Sequence, residues 1–426
     1  MRERGDKLRM LNLKTVRGEF PALSRVHKGR PVVYFDGPGG TQVPKACIKA
    51  MVDYLMRCNA NTHGAFVTSA ESDEIIAEAH RGMADLLNAR SAEEIVFGPN
   101  MTGLTFSLSR AIGATLRAGD EMILTRLDHD ANYTPWLLAA QERGAVVHVV
   151  DINESDCSLN LDDYERYLNN CTKLVAVGYA SNAVGTINPV KQIAAMARAV
   201  GAWSFVDAVH YAPHGPIDVQ DLGCDFLACS PYKFFGPHLG ALYGRQGLLE
   251  SLPAYKVRPA DDRPPGRWET GTQSGESLAG LTGTIRYLEW LGRTFPEEIA
   301  GDYRSARSAT LHAAMRAVQE YERTLQGAML DRLAALPKVR LYGNGFRTRL
   351  SRCTPTFAVR VGDRHPQEVA RILGEEGICV WDGHYYALNL TERLGVEASG
   401  GMVRIGFAHY NTVEEIDRLY EALAGL

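Results

Sequence analysis

A chain of 426 residues, 45% of them hydrophobic, is long enough to bury a large core and to divide into two domains. Its formal net charge is −4, from 46 basic and 50 acidic side chains, and no basic stripe runs along it, which argues against nucleic acid as a main partner. Eight scattered cysteines without metal-ligand spacing, a charged N-terminus and no apolar run near the ~18 residues of a bilayer span predict a reduced cytoplasmic protein with no metal and no membrane contact.

Taken in chain order, helical and strand patterns alternate from about residue 45 to 245. Helical periodicity covers 70–89, and a strand-like run, Ile95–Phe97, follows. The turn Gly98–Gly103 then opens a helical pattern at Leu104. Further strand-like runs are 122–124, 146–150, 174–178, 204–206 and 226–228, with helices at 134–143 and 190–200. Continuous rather than alternating apolar runs, separated by helices, predict an α/β fold with a mostly parallel sheet covered on both faces. Residues 251–275 read as a loop rich in Pro, Gly and charge. Two long helices are expected at 276–293 and 302–336, strands at 355–359, 378–381 and 402–406, and a last helix at 413–424. The expected division is an N-terminal segment (1–30) packing on the small domain, a large domain (31–290) and a smaller α+β domain (291–426).

In such sheets ligands collect at the carboxyl ends of the strands. Asp207 ends the apolar run Trp203–Val206, and Ser230-Pro-Tyr-Lys233 follows the run Asp225–Cys229. One acid and one lysine so placed suggest a pyridoxal phosphate site. The lysine would hold the aldehyde as a Schiff base, and the acid would keep the ring nitrogen protonated. A buried carboxylate needs a partner, and a pyridinium N–H is a suitable one. Asn100, Met101 and Thr102 lie where a strand gives way to a helix, a ready anion site; the same residues also read as an ordinary N-cap. Asn182, after the strand at 174–178, would donate to a phenolic oxygen or serve a turn. His129 would stack on a planar ring or be a structural loop histidine.

The order of these motifs, with Ser181-Asn-x-x-Gly185 and Trp268-Glu-Thr-Gly-Thr272, resembles the class V aminotransferase family of fold-type I pyridoxal phosphate enzymes. Within it, the chain is similar to the cysteine desulfurase and selenocysteine lyase branch. The resemblance implies that Lys233 carries the cofactor, Asp207 pairs with its ring nitrogen and His129 stacks on the ring; these three would be catalytic. Asn182 would contact the ring hydroxyl, and Ser230 with the turn Asn100, Met101 and Thr102 would hold phosphate. Arg404 would clamp the substrate α-carboxylate through its planar fork. Thr272 would reach the phosphate of a neighbouring subunit, implying a homodimer, and His63 would line the substrate side.

The chain also departs from that branch. Tyr232 stands where desulfurases carry histidine, and His210 takes the place of a glutamine at the ring hydroxyl. In Val380-Trp-Asp-Gly-His-Tyr-Tyr-Ala387, Tyr386 stands where the persulfide-carrying cysteine is expected, and tyrosine cannot do thiolate chemistry. Cys379 and Cys58 read as buried, inert thiols. Trp381, His384 and Tyr386 are expected on the substrate side, while Trp381, Tyr385 and Tyr386 also read as residues that pack the domain junction. The expected activity is that of a pyridoxal phosphate-dependent lyase or transferase on a small amino acid or amino-acid conjugate, with β-elimination first. Transamination or epimerisation, and a non-catalytic cofactor-binding regulator, are the alternatives.

Overall fold

The computed structural model describes residues 11–297, 301–343, 345 and 347–426. The first ten residues of the expected N-terminal segment lie outside them. Seven strands form the central sheet: β1 (Ile95–Gly98), β2 (Glu121–Thr125), β3 (Val146–Val150), β4 (Thr172–Gly178), β5 (Trp203–Asp207), β6 (Phe226–Cys229) and β7 (Gly240–Gly244). Their spatial order is β1-β7-β6-β5-β4-β2-β3. From β6 to β3 all neighbours are parallel, while β7 runs antiparallel to both β6 and β1. Every residue of β1, β6 and β7 is buried, as expected of strands covered on both faces. The sequence reading missed β7, because only three residues, Ala241–Tyr243, lie between its two glycines, which carry little strand propensity.

Five helices matter for the site: α1 (Lys45–Arg57), α2 (Val67–Leu87), α3 (Met101–Gly113), α4 (Gly275–Thr294) and α5 (Ala306–Ala334). The starts of α4 and α5 are fixed by Ser274 and Ser305, whose side chains accept from the Ser277 and Ser308 amides. Asn88, left-handed at φ 51°, stops α2.

The C-terminal part carries a four-stranded antiparallel sheet: β8 (Val339–Tyr342), β9 (Thr356–Val361), β10 (Trp381–Gly383) and β11 (Met402–Gly406), in the order β8-β9-β11-β10. The expected strand at 378–381 is two pieces. Ile378–Cys379 pairs in parallel with Val33–Tyr34, and the chain then joins this sheet at Trp381. The N-terminal segment is tied down by Arg17, which donates to the Tyr410 carbonyl (2.6 Å) and to Glu415 (2.9 Å). Among the described residues no helix is long and apolar enough to cross a membrane.

Candidate active site

A cavity of about 460 Å³ opens between the carboxyl ends of the parallel strands and the β10–β11 edge of the second sheet. Asn100, Met101, Thr102, His129, Asn182, Asp207, His210, Ser230, Tyr232, Lys233, Trp381, His384, Tyr386 and Arg404 all line it. Residues from across the chain thus converge on the place where an α/β sheet binds ligands.

Asp207, the last residue of β5, is buried and accepts a hydrogen bond from the Val209 amide at 2.9 Å. Burial raises its pKa to about 6, against the opposing pull of that amide and of Lys233. Lys233 stands at the end of a short 3-10 turn, Pro231–Lys233, and its ammonium donates to the Pro38 carbonyl. Burial, helped by the nearby Arg404 charge, lowers the Lys233 pKa to about 7, while Asp207 and Asp36 resist that fall. A lysine so tuned is half unprotonated near neutrality, the condition for attack on an aldehyde or for base catalysis.

Arg404, on β11, is buried, and burial brings its pKa down to about 10. One of its amines donates to the Asn182 carbonyl (2.9 Å), and its guanidinium lies 4.4 Å from the centre of the Tyr385 ring. Its Nε is buried without a partner.

The expected anion site is the start of α3, which lines the cavity. Asn100 caps the helix, its side chain accepting from the Gly103 amide at 2.7 Å, so the positive end of the helix faces the cavity. A Cβ on Gly240 would lie 2.3 Å from the Asn100 carbonyl carbon, so only glycine lets this turn rest against the start of β7.

His129 presents a flat face on the cavity wall. Its Nδ1 accepts from the Ala131 amide (3.0 Å), and burial lowers its pKa to about 4, so the ring is neutral. The Tyr386 ring stacks on it, with centroids 5.4 Å apart and planes 14° from parallel. Tyr385 and Tyr386 occupy consecutive left-handed positions, φ 55° and 58°, in a turn closed by the Ala387 amide donating to the His384 carbonyl (2.8 Å). Such backbone costs about 1–3 kcal/mol per residue, and long-range bonds hold it in place. The Tyr385 carbonyl accepts from the Asn182 side-chain amide (2.8 Å), and the Tyr386 carbonyl accepts from the Asp130 amide (2.7 Å). The Tyr385 hydroxyl donates to the Met402 carbonyl. Asn182, expected at the ring hydroxyl, thus spends its amide N–H on this turn, leaving its buried Oδ1 without a partner.

His210 is buried, and its Nε2 meets the hydroxyls of Thr354 (3.1 Å) and Thr356 (3.0 Å). Tyr232 stacks on His238 at 4.9 Å. Two expected site residues stand elsewhere in this subunit. His63 is 90% exposed and pairs with Asp73, and Thr272 is exposed and does not line the cavity. The sequence reading missed Asp128 and gave Asp36 no role. Asp128 is buried and accepts from the Gly178 amide (2.7 Å) and Asn132 (3.1 Å); its place beside His129 was the available signal. Asp36 has a buried oxygen without a partner, and its pKa is raised by burial against the pull of Arg404 and Lys233.

These features fit pyridoxal phosphate. The buried Asp207 carboxylate suits a ring N–H, Lys233 is titrated toward neutrality, and the α3 terminus suits a phosphate. The unpartnered Asn182 Oδ1 and Arg404 Nε leave polar atoms for ligands. Fold and site together define a fold-type I pyridoxal phosphate enzyme, and the chain belongs to the aminotransferase class V family, whose model matches residues 33–302 and 297–419. It is 32% identical to a cysteine desulfurase of Serratia proteamaculans, over 96% of this chain and 97% of that protein. It is 34% identical to a probable cysteine desulfurase of Mycolicibacterium paratuberculosis, over 98% of this chain but 58% of that longer protein. Among solved structures, an apo cysteine desulfurase from Thermococcus onnurineus superposes with a TM-score of 0.85 at 27% identity, covering 97% of each chain. A cysteine desulfurase from Escherichia coli gives 0.82 at 25% identity, over 97% of this chain and 98% of that one. The chain is therefore a cysteine desulfurase-like, pyridoxal phosphate-dependent enzyme.

Proposed function

We propose that this enzyme cleaves the Cβ–S bond of a small amino acid or amino-acid conjugate by β-elimination, without storing sulfur on the protein. The observation that carries this reading is the Tyr386 ring stacked on His129 at the cavity rim, with no cysteine among the described residues that line the cavity. The thiols of Cys157 and Cys379 are pushed by burial up to about 12 and about 11, away from the thiolate form that sulfur transfer needs.

For a thioether substrate, R–S–CH2–CH(NH3+)–COO− and water give R–SH, pyruvate and ammonium. The bound cofactor supplies the electron sink for the Cα carbanion. Arg404 would hold the α-carboxylate, Lys233 would take the Cα proton on Nζ, and Asp207 would hold the proton on the ring nitrogen. Asn100, Met101, Thr102 and Ser230 would hold the phosphate.

The active unit would be a cytoplasmic homodimer in which Thr272 reaches the neighbouring site. An apolar surface supports it: Val52, Leu55 and Met56 on α1, with Phe66 and Val67 at the start of α2, are 46–79% exposed. A patch of this kind marks an interface.

An amino-acid panel tests the reaction. Keto acid with equimolar ammonia and free thiol supports elimination. Keto acid formed only with an added amino acceptor would show transamination, and sulfane sulfur retained on the protein would overturn the reading.

A further inference from the structure

Two large aromatic side chains stand at the cavity rim with much of their surface in water: Trp381 is 52% exposed and Tyr386 is 67% exposed. Both are built in. Trp381 lies on the glycine turn before α1, so close that a Cβ on Gly39 would sit 2.5 Å from its Nε1. Tyr386 is fixed by its turn, by the Asp130 amide and by the His129 ring. Trp381 is also the direct cross-strand partner of Arg404, and cross-strand partners carry their side chains on the same face. A substrate whose carboxylate sits on Arg404 would therefore lie within the reach of Trp381.

We infer that Trp381 and Tyr386 form a specificity subsite for a neutral aromatic or bulky apolar group on the substrate sulfur, so that the preferred substrates are S-aryl or S-benzyl conjugates of cysteine. The inference rests on the elimination reading for the reaction, but not for binding. Free cysteine would leave both rings in water. An aryl group would cover part of each, and every ~55 Å² of apolar surface covered is worth about a tenfold gain in affinity. Offset or edge-to-face ring contacts add to that.

Two measurements on the cofactor-loaded enzyme test it. The first compares kcat/KM for S-benzylcysteine and S-methylcysteine. The expected ratio is at least about ten in the native enzyme, falling toward one in Trp381→Ala and Tyr386→Ala. The second compares equilibrium binding of α-methyl-S-benzylcysteine and α-methylcysteine, which carry no Cα hydrogen to lose. The benzyl compound is expected to bind at least about tenfold tighter, again through Trp381 and Tyr386.

A native ratio near one in both measurements, or a preference untouched by either substitution, overturns the subsite. Tighter binding of S-(2-aminoethyl)cysteine than of S-benzylcysteine overturns its neutral, apolar character, because the rings would then be serving a cation. If no thioether yields pyruvate while the binding preference stands and is lost in the variants, the subsite holds and the elimination reading falls.

Discussion

Glu269 lies in the Trp268-Glu-Thr-Gly-Thr272 motif, and its position predicts a large, pH-dependent loss on removal. Its Oε1 accepts from His80 Nε2 on α2 (2.8 Å) and from the Phe97 amide on β1 (2.7 Å). The His80 and Glu269 side chains are only 7% and 9% exposed. Burial alone would lower the His80 pKa, but the hydrogen bond and charge of Glu269 outweigh it, and the net shift is upward. Glu269→Ala would strand a buried imidazolium and a buried amide N–H. Breaking a buried ion pair costs about 3–5 kcal/mol, and an unmet buried donor about 1–3. One carboxylate oxygen serves both, so these overlap, and a loss of about 4 kcal/mol is expected. The sign with pH follows from the raised pKa. The charged contribution is fully present below the unfolded histidine value near 6.5 and fades as pH rises through the higher folded value. Urea unfolding of both proteins at matched cofactor saturation, from pH 5.5 to 9, should show a stability gap that is widest at acid pH and narrows with alkalinity. A gap under about 1 kcal/mol, or one that widens with pH, would refute the reasoning.

Three more outcomes follow from the site. Lys233→Ala should lose the covalently held cofactor, seen as the loss of its protein-linked visible band, and activity should fall by at least about a hundredfold. Asp36→Asn removes a charge that favours protonated Lys233, so the lysine pKa should fall below about 7. The pH midpoint for apoenzyme reloading with cofactor should move to the acid side. Tyr386→Cys places a thiol on the turn beside His129 and should retain sulfane sulfur after incubation with cysteine, measured by cyanolysis. A variant that folds and binds cofactor yet holds none would sink the idea that Tyr386 blocks that branch.

What the sequence showed of this site follows from where the information lies. Asp207 and Lys233 were legible because Asp207 ends a strand, and Lys233 closely follows one, whose burial is written in consecutive residues. The anion turn at Asn100–Thr102 was legible for the same reason. Strand β7 was not, since its glycine-bounded run carries little strand propensity and its pairing partners, β1 and β6, are not written in its own residues. The anchoring role of Glu269 was hidden too, because its partners lie 189 and 172 residues away. Asn182 shows a subtler limit. Its position in a site was readable, but its amide partner, the Tyr385 carbonyl, is 203 residues distant.

That partner explains why Tyr385 and Tyr386 can occupy backbone normally left to glycine. A turn with two left-handed tyrosines has no local reason to form, and about 2–6 kcal/mol opposes it. Hydrogen bonds from Asn182 and Asp130 hold it from the large domain, and the Tyr385 hydroxyl holds it to β11. The same Tyr385 ring lies against Arg404, whose amine returns to the Asn182 carbonyl. Asn182, Tyr385 and Arg404 therefore close a ring of contacts between the two sheets, which ties the turn to the arginine. If the α-carboxylate sits on Arg404 as proposed, its binding and the placement of the Tyr386 ring would be coupled through Tyr385 and Asn182. A substitution that relaxes the turn should disturb carboxylate binding even though it touches no substrate atom.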